Sequence, residues 1–184
     1  YQKGQKAGIK PILGVEAYVA RHGRHQKRPG VDTKPWHLVL LARDFTGYQN
    51  LLQLVTKANL EGFYYKPRID HELLEQFGGG LICSSACLQG EIPQNLLSQN
   101  FAEAEDAVRR YQKYFGEENF YLEIQNHPSI PEQKIANERV IELAKKLSVR
   151  RTTATTSGGR TRRRRMFCSA CRLAISFPTK IGCG

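Results

Sequence analysis

The segment WHLVLLARDFTGYQNL (residues 36–51) decides the fold, because it joins a strand pattern directly to a helix pattern. HLVLLA is a continuous apolar run, which is typical of a buried strand. Asp44 can cap the helix that follows, and Tyr48, Leu51 and Leu52 lie near helical spacing. The segment therefore predicts a strand that leads into a helix, the unit from which β/α proteins are built.

The same alternation of strand and helix patterns continues along the chain. Apolar runs predict three further strands: ILGVEAYVA (residues 12–20), LICSSA (81–86) and NFYLEIQ (119–125). Helical patterns follow Asp70, cover residues 101–115 and begin again at Pro131. Residues 21–35 carry Gly, Pro and many charges without a period, and predict a loop. This order favours a parallel β/α architecture, in which the chemistry lies where strands end and loops begin.

The composition indicates one domain of ordinary character with an unusual end. The chain has 184 residues, enough for a single hydrophobic core. Residues 1–149 contain 19 Lys and Arg against 17 Asp and Glu, whereas residues 150–184 contain 9 Lys and Arg and no acid. The net charge of +11 therefore belongs mainly to the last segment.

The sequence also bears on cellular location. An uninterrupted apolar run of 18 or more residues is absent, so we expect no membrane partner. Five Cys at irregular spacing do not suggest a disulfide framework, and a reducing, cytoplasmic setting fits better. The first residues lack both Met and the apolar core of a signal peptide, so we expect a fragment whose beginning is missing.

Three blocks each couple a strand-like run to one potential metal ligand. They are GIKPILGVEAYVA (residues 8–20) with Glu16, the segment 36–51 with His37, and LICSSACLQGEIP (81–93) with Cys87. These blocks, together with EGFYYKPRID (61–70), occur in the order and at the spacing of one family. Over about residues 7–149 the chain resembles the PHP (polymerase and histidinol phosphatase) domain of the bacterial DNA polymerase III alpha subunit. The resemblance implies an α/β fold of the PHP type, a distorted β/α barrel, here incomplete at both ends.

The resemblance implies that Glu16, His37 and Cys87 are metal ligands, although each has a simpler interpretation. A carboxylate within an apolar strand is costly unless it is paired or binds a metal, so Glu16 could instead form a buried ion pair. A lone His at a strand start is often structural, and a lone Cys is often a small buried apolar residue. A thiolate, an imidazole and a carboxylate together favour Zn or a similar divalent ion. The family implies Zn or Mn in this site, and Mg in a polymerase site that this chain does not contain.

Other polar residues receive weaker predictions. Cys83 is left out of the ligand set because a regular strand directs it to the other face. His127, in the family-like run LEIQNHPSIPEQ, is a secondary candidate near the rim, while His22, His25 and His71 are predicted to be solvated.

The stretch EGFYYKPRID is dense in aromatic and basic residues. Tyr64, Tyr65, Lys66 and Arg68 are candidates for nucleic-acid binding, through base stacking and phosphate pairing. The alternative is a loop that packs on the barrel.

The function that the resemblance implies is that of a replicative DNA polymerase fragment. Nucleotidyl transfer would lie elsewhere in the intact subunit, and the PHP domain would be a metal-dependent phosphoesterase of the 3′–5′ exonuclease type. The expected partners are DNA and the other subunits of the replicase holoenzyme. Two alternatives stay open: a free-standing PHP phosphoesterase of the histidinol-phosphatase type, and a non-enzymatic, basic nucleic-acid-binding module.

The last segment, residues 150–184, has three simple interpretations: a nucleic-acid patch at its arginine run, a zinc half-site at Cys168 and Cys171, or a disordered tail. A fourth interpretation, a shifted reading frame, is favoured. If each codon is read from its third base, residues 151–157 can encode NDSHYF, and residues 161–183 can encode AEAQDVLLCLQTGHFISDENRM. The first string matches an N-D-x-H-Y motif that supplies an Asp and a His to the family's metal cluster. We therefore expect residues 1–149 to form a partial PHP domain and residues 150–184 to be a frame-shifted, disordered tail. We also expect the chain as written to have little or no nuclease activity.

Overall fold

The computed structural model describes residues 1–155 and 174–176. The helices are α1 (Gln2–Lys6), α2 (Phe45–Leu60), α3 (His71–Phe77), α4 (Glu91–Leu97), α5 (Phe101–Phe115) and α6 (Pro131–Lys146). The strands are β1 (Gly14–Val19), β2 (Trp36–Ala42), β3 (Arg68–Ile69), β4 (Leu81–Ser84), β5 (Phe120–Gln125), β6 (Arg151–Thr155) and β7 (Ala174–Ser176). The predicted α/β class is confirmed. The arginine run and the pair of cysteines in the last segment lie outside the described residues.

The strands form one seven-stranded sheet in the order β3-β1-β2-β4-β5-β6-β7. Three neighbouring pairs are parallel (β1 with β3, β4 with β5, β5 with β6), and three are antiparallel (β1 with β2, β2 with β4, β6 with β7). The sheet is therefore mixed, and the expectation of a parallel sheet is wrong for β2. The reason is the connection: residues 20–35, all of them described, form a loop without a crossover helix, and a parallel pairing needs a crossover.

Both predicted N-caps, Asp44 and Asp70, are confirmed by side-chain hydrogen bonds. The carboxylate of Asp44 accepts from the N–H of Gly47 at the start of α2, and that of Asp70 accepts from the N–H of Leu73 at the start of α3. Gly47 also permits a close approach, because a Cβ there would lie 1.9 Å from the carbonyl oxygen of Gly80. The approach of Gly47 to Gly80 packs the start of α2 against the chain that enters β4. None of the described helices is long and apolar enough to cross a membrane.

The hydrophobic core lies between one face of the sheet and the helices. Its fully buried members include Leu38, Leu40, Leu54, Leu73, Leu74, Leu81, Tyr111 and Phe120. The opposite face of the sheet has only a small apolar cluster, formed by Val39, Leu41 and Ala86 with Ile12 and Ile82 beside it. Because side chains alternate along a strand, β1, β2, β4 and β5 each contribute to both faces. The second face is the one that carries the candidate site.

Candidate metal centre and nucleic-acid surface

The sheet register brings Glu16 and His37 together. Glu16 pairs with Val39, and Tyr18 pairs with His37, so Glu16 and His37 are diagonal neighbours on one face of an antiparallel pair. Cys87 arrives from the segment that follows β4. That segment is attached to β2 by the N–H of His37, which donates to the carbonyl of Gln89 over 3.0 Å. Three separate parts of the chain therefore converge on one face of the sheet, near the end at which β2 begins.

The three side chains present one donor atom each to a common point. The Nδ1 atom of His37 lies 2.8 Å from Oε1 of Glu16 and 3.5 Å from Sγ of Cys87. All three donor atoms lie within 4.8 Å of one another. Ligand atoms at about 2.0 to 2.3 Å from one zinc ion are roughly 3 to 4 Å apart in a tetrahedral site, so the spacing fits a small divalent cation. The structure thus brings together every residue that was predicted as a metal ligand.

The electrostatics of the three groups also fit a cation site. The pKa of His37 is raised to about 9, first by its hydrogen bond with Cys87 and then by that with Glu16, while partial burial opposes the rise. The imidazole therefore holds a proton between two groups that favour positive charge. A metal ion would take over this charge by displacing the proton, as is general for histidine ligands.

A scan against family models matches residues 1–127 to the PHP domain. The chain belongs to the PHP domain family. It is 44% identical over 158 residues to the DNA polymerase III subunit alpha of Borreliella burgdorferi, which covers 85% of this chain and 14% of that protein. It is 43% identical over 183 residues to the subunit of Thermus aquaticus, an alignment that covers 98% of this chain and 15% of that protein. It is 45% identical over 143 residues to the subunit of Treponema pallidum, which covers 77% of this chain and 12% of that protein.

This PHP domain is therefore homologous to the PHP region of DNA polymerase III alpha subunits, which confirms the resemblance seen in the sequence. The chain spans only 12 to 15% of the length of these three relatives.

Sequence reasoning missed a second polar group on the same face of the sheet as the three predicted ligands. Glu123 of β5 is 3% exposed, and its carboxylate accepts from Nε2 of Gln125 over 2.7 Å and contacts the hydroxyl of Ser84. Burial is the main cause of its raised pKa, and the charge of Glu16 raises the pKa further. The available signal was the one that identified Glu16: an acid inside an apolar strand, on the face that alternates away from the core.

The remaining predicted side chains have mixed outcomes. Cys83 is fully buried in the core beside the helices, as its exclusion from the ligand set requires, and burial raises its thiol pKa. His127 follows β5 and is not part of the three-residue donor set. His22 and His25 are exposed on the loop, as predicted.

His71 is not solvated, so the prediction for it is wrong. Its ring lies among Trp36, Tyr111 and Tyr114, with ring centroids 5.7 to 6.3 Å away, and its Nε2 atom is 3.3 Å from Oε2 of the buried Glu91. This environment could not be predicted from local sequence patterns, because its aromatic members come from β2 and α5.

Arg68 is placed in the interior and not on a nucleic-acid surface. The side chain is 1% exposed. Its Nε donates to the carbonyl of Gly62, Nη1 to that of Asp32, and Nη2 to those of Arg24 and Gln26, all at 2.9 to 3.0 Å. Those donors attach the loop of residues 20–35 to the sheet, and they are not free for a phosphate. The sequence-based assignment of Arg68 is therefore corrected to a structural one.

The other three candidates form a turn at the surface, which we call the tyrosine turn (Tyr64, Tyr65 and Lys66). Tyr64 is half-buried, with its ring 5.2 Å from the guanidinium carbon of Arg68. Tyr65 is 74% exposed, and Lys66 is exposed as well. The tyrosine turn thus keeps an aromatic ring and a positive charge accessible to solvent.

Proposed function

We propose that this PHP domain binds a divalent metal ion through Glu16, His37 and Cys87, and that it represents the metal-dependent phosphoesterase region of a replicative DNA polymerase. The observation that carries the proposal is the convergence of three donor atoms within 4.8 Å, from β1, β2 and the segment after β4. A nitrogen, a sulfur and an oxygen donor suit Zn, and Mn is the alternative that the family suggests. When bound, such an ion polarises a phosphate oxygen and lowers the pKa of a water.

The residues of the chain have distinct parts in this proposal. Glu16 and His37 are fixed by neighbouring strands, so their donor atoms keep their separation while substrate binds. Cys87 lies on the segment after β4, which is tied to β2 through Gln89. In the complete domain the described sheet would close into the distorted barrel typical of PHP proteins. The metal centre would then lie at the barrel rim.

We further propose that nucleotidyl transfer belongs to the rest of the intact subunit, at a separate Mg-dependent site. DNA and other subunits of the replicase holoenzyme would be its partners, in the bacterial cytoplasm. The support is the similarity to DNA polymerase III alpha subunits, of which this chain spans a small part. The tyrosine turn, with an exposed ring at Tyr65 and an exposed charge at Lys66, would contact the DNA.

The chain as written is proposed to have little or no nuclease activity. Hydrolysis of this type uses clustered metal ions, and three donors hold one ion. The Asp and His of the family's N-D-x-H-Y motif appear only when residues 151–157 are read in another frame. We therefore propose that residues 150–184 are frame-shifted.

Metal binding is the experiment that tests the site. Titration of the purified chain with Co²⁺ should give a thiolate-to-cobalt charge-transfer band and a stoichiometry near one ion. A chain that binds no Co²⁺ would contradict the proposal. A nuclease assay with added Zn²⁺ or Mn²⁺ should show little 3′–5′ cleavage, and robust cleavage would contradict the proposed inactivity.

Sequencing the coding DNA tests the frame. A corrected frame that restores NDSHY and continues as a long open frame supports a damaged polymerase gene. An intact frame that ends as written makes the basic segment genuine, and it contradicts the proposed frameshift.

A further inference from the structure

Tyr18 connects the tyrosine turn to the metal centre. The Nζ atom of Lys66 lies 4.3 Å from the centroid of the Tyr18 ring. The same ring meets the imidazole of His37 edge-on, with centroids 5.1 Å apart and planes at 82°. Tyr18 is also the direct cross-strand partner of His37, so the sheet register fixes their separation. The ammonium of Lys66 is therefore one aromatic ring away from a proposed metal ligand.

Lys66 has a different kind of partner from the lysines that form ion pairs. Lys57, Lys113 and Lys146 each pair with a glutamate. Lys66 pairs instead with the face of Tyr18, which restrains the side chain without neutralising its charge. An ammonium has three N–H donors, and those directed away from the ring stay available to an anion. Because the ring already limits the motion of Lys66, an incoming phosphate has less side-chain entropy to overcome.

The tyrosine turn holds Tyr65 in a conformation that a packing role does not require. Tyr65 has a φ of 58°, in the left-handed region that side chains other than glycine rarely adopt. The N–H of Tyr64 donates to the carbonyl of Lys66 over 3.1 Å and closes the turn. The ring of Tyr65 meets that of Tyr64 at a centroid distance of 4.7 Å, and Tyr65 is still 74% exposed. A residue in this conformation costs about 1 to 3 kcal/mol, and such residues cluster at ligand sites.

The loop that precedes β2 carries further exposed positive charge. The loop of residues 20–35 joins the end of β1 to the start of β2, so it lies at the same end of these strands as His37. Arg21, Lys27 and Lys34 are exposed on this loop, and the guanidinium carbon of Arg21 lies 5.2 Å from the centroid of the Trp36 ring. Clustered positive charge raises the local concentration of phosphate groups.

We propose that Tyr18 positions Lys66 to bind a backbone phosphate of single-stranded DNA, and that Tyr65 stacks on an unpaired base of the same strand. The strand is single because bases within a duplex offer no free face for stacking. Its backbone would then pass beside Glu16, His37 and Cys87. The inference rests on the proposed function for the identity of that centre, but the strand contact itself needs no metal.

The test measures DNA binding in EDTA, so that neither metal nor cleavage contributes. The full chain is titrated with an oligothymidylate of about eight nucleotides, a length within the range of single-strand sites. Fluorescence of Trp36 reports binding near the centre, because it is the only tryptophan of the chain and precedes His37 directly. Titrations are repeated over a range of salt concentrations, and near-UV circular dichroism verifies that each variant is folded.

Five variants separate positioning from a general loss of charge. Lys66→Met should weaken binding about tenfold and reduce the salt slope by about one, as expected for one lost phosphate contact. Tyr65→Ala should weaken binding roughly 5- to 150-fold with the salt slope unchanged. Tyr18→Leu should resemble Lys66→Met, whereas Tyr18→Phe should bind normally because the ring remains. Lys145→Met is the matched control: Lys145 is exposed in the last turn of α6, the helix that leads into β6, and binding should be unaffected.

The outcomes also distinguish this inference from the proposed function. Equal affinities and salt slopes for Lys66→Met and Lys145→Met would overturn the strand contact, since binding would then come from elsewhere, including residues 150–184. A normal Tyr18→Leu variant would overturn the positioning role of Tyr18. If the expected pattern appears but no chain binds Co²⁺, the strand contact stands and the metal proposal fails.

Discussion

The two faces of the same strands carry different kinds of residue. On the face toward the helices, Val19, Leu38 and Leu40 are apolar and fully buried. On the opposite face, Glu16 and His37 are polar and partly exposed, although each is only one residue away along its strand from an apolar neighbour on the other side. The difference shows that stability and chemistry are separated by side-chain alternation and not by distance along the chain. Substitutions on one face should therefore change the free energy of unfolding, and those on the other should change ligand binding.

The largest expected effect is on the face toward the helices. Leu40→Ala removes a fully buried side chain and should lower the free energy of unfolding by about 2 to 5 kcal/mol, measured by urea denaturation. Leu41→Ala is the matched control, one residue along β2 on the other face, where the apolar cluster is small. It should cost clearly less. Equal losses for the two variants would contradict the distinction between the faces.

Arg68 provides the next largest effect, because it tests the corrected role of that residue. Arg68→Met leaves four backbone carbonyls without their donor and should destabilise the protein by about 3 kcal/mol. Hydrogen exchange should become faster in the loop of residues 20–35. Arg109→Met, an exposed arginine on α5, should change neither quantity. An Arg68→Met protein as stable as the parent, with weakened DNA binding, would restore the surface role.

Cys87 tests the chemistry of the second face. Cys87→Ser should reduce Co²⁺ affinity by at least about a hundredfold, or 2.7 kcal/mol, and abolish the thiolate charge-transfer band. Its unfolding free energy in EDTA should change little, because Cys87 lies outside the core clusters. Cys83→Ala is the control, since that thiol faces the core, and the band should persist. A band that survives in Cys87→Ser would exclude Cys87 as a ligand.

The smallest expected effect is a pH dependence from Glu123. Burial raises the pKa of this carboxyl in the folded protein, so folding binds a proton, and stability should fall as the pH rises from the ordinary range of a glutamate through the raised value. Glu123→Gln removes the charge and keeps partners for Ser84 and Gln125. At pH 8 it should increase the free energy of unfolding by on the order of 1 kcal/mol and so raise the melting temperature. At pH 5 both changes should be smaller.

Glu132→Gln, on the exposed side of α6, serves as the control for Glu123 and should show no such dependence. An effect of Glu123→Gln that is equal at pH 5 and pH 8 would show that the carboxylate is already charged throughout this range.

Local sequence patterns were sufficient for much of the fold. The strands β1, β2, β4 and β5 and the caps Asp44 and Asp70 were predicted, because apolar runs and capping residues act over a few neighbouring positions. Helix α4 was not predicted, since seven residues with a proline in the first turn give little periodicity. The antiparallel placement of β2 was missed because pairing direction depends on how the connecting chain packs.

The candidate site shows the same division. The sequence by itself, through its family motifs, predicted Glu16, His37 and Cys87 as metal ligands, and the structure brings these three side chains together. Only the tertiary structure decided that Arg68 and His71 are interior, that Glu123 shares the face of the site, and that Tyr18 lies between Lys66 and His37. Residue type and spacing fix which elements form, because those preferences are local. Burial and side-chain contacts depend on partners 20 to 50 residues away, such as His37 with Cys87 at a separation of 50, and only the packed sheet brings such partners together.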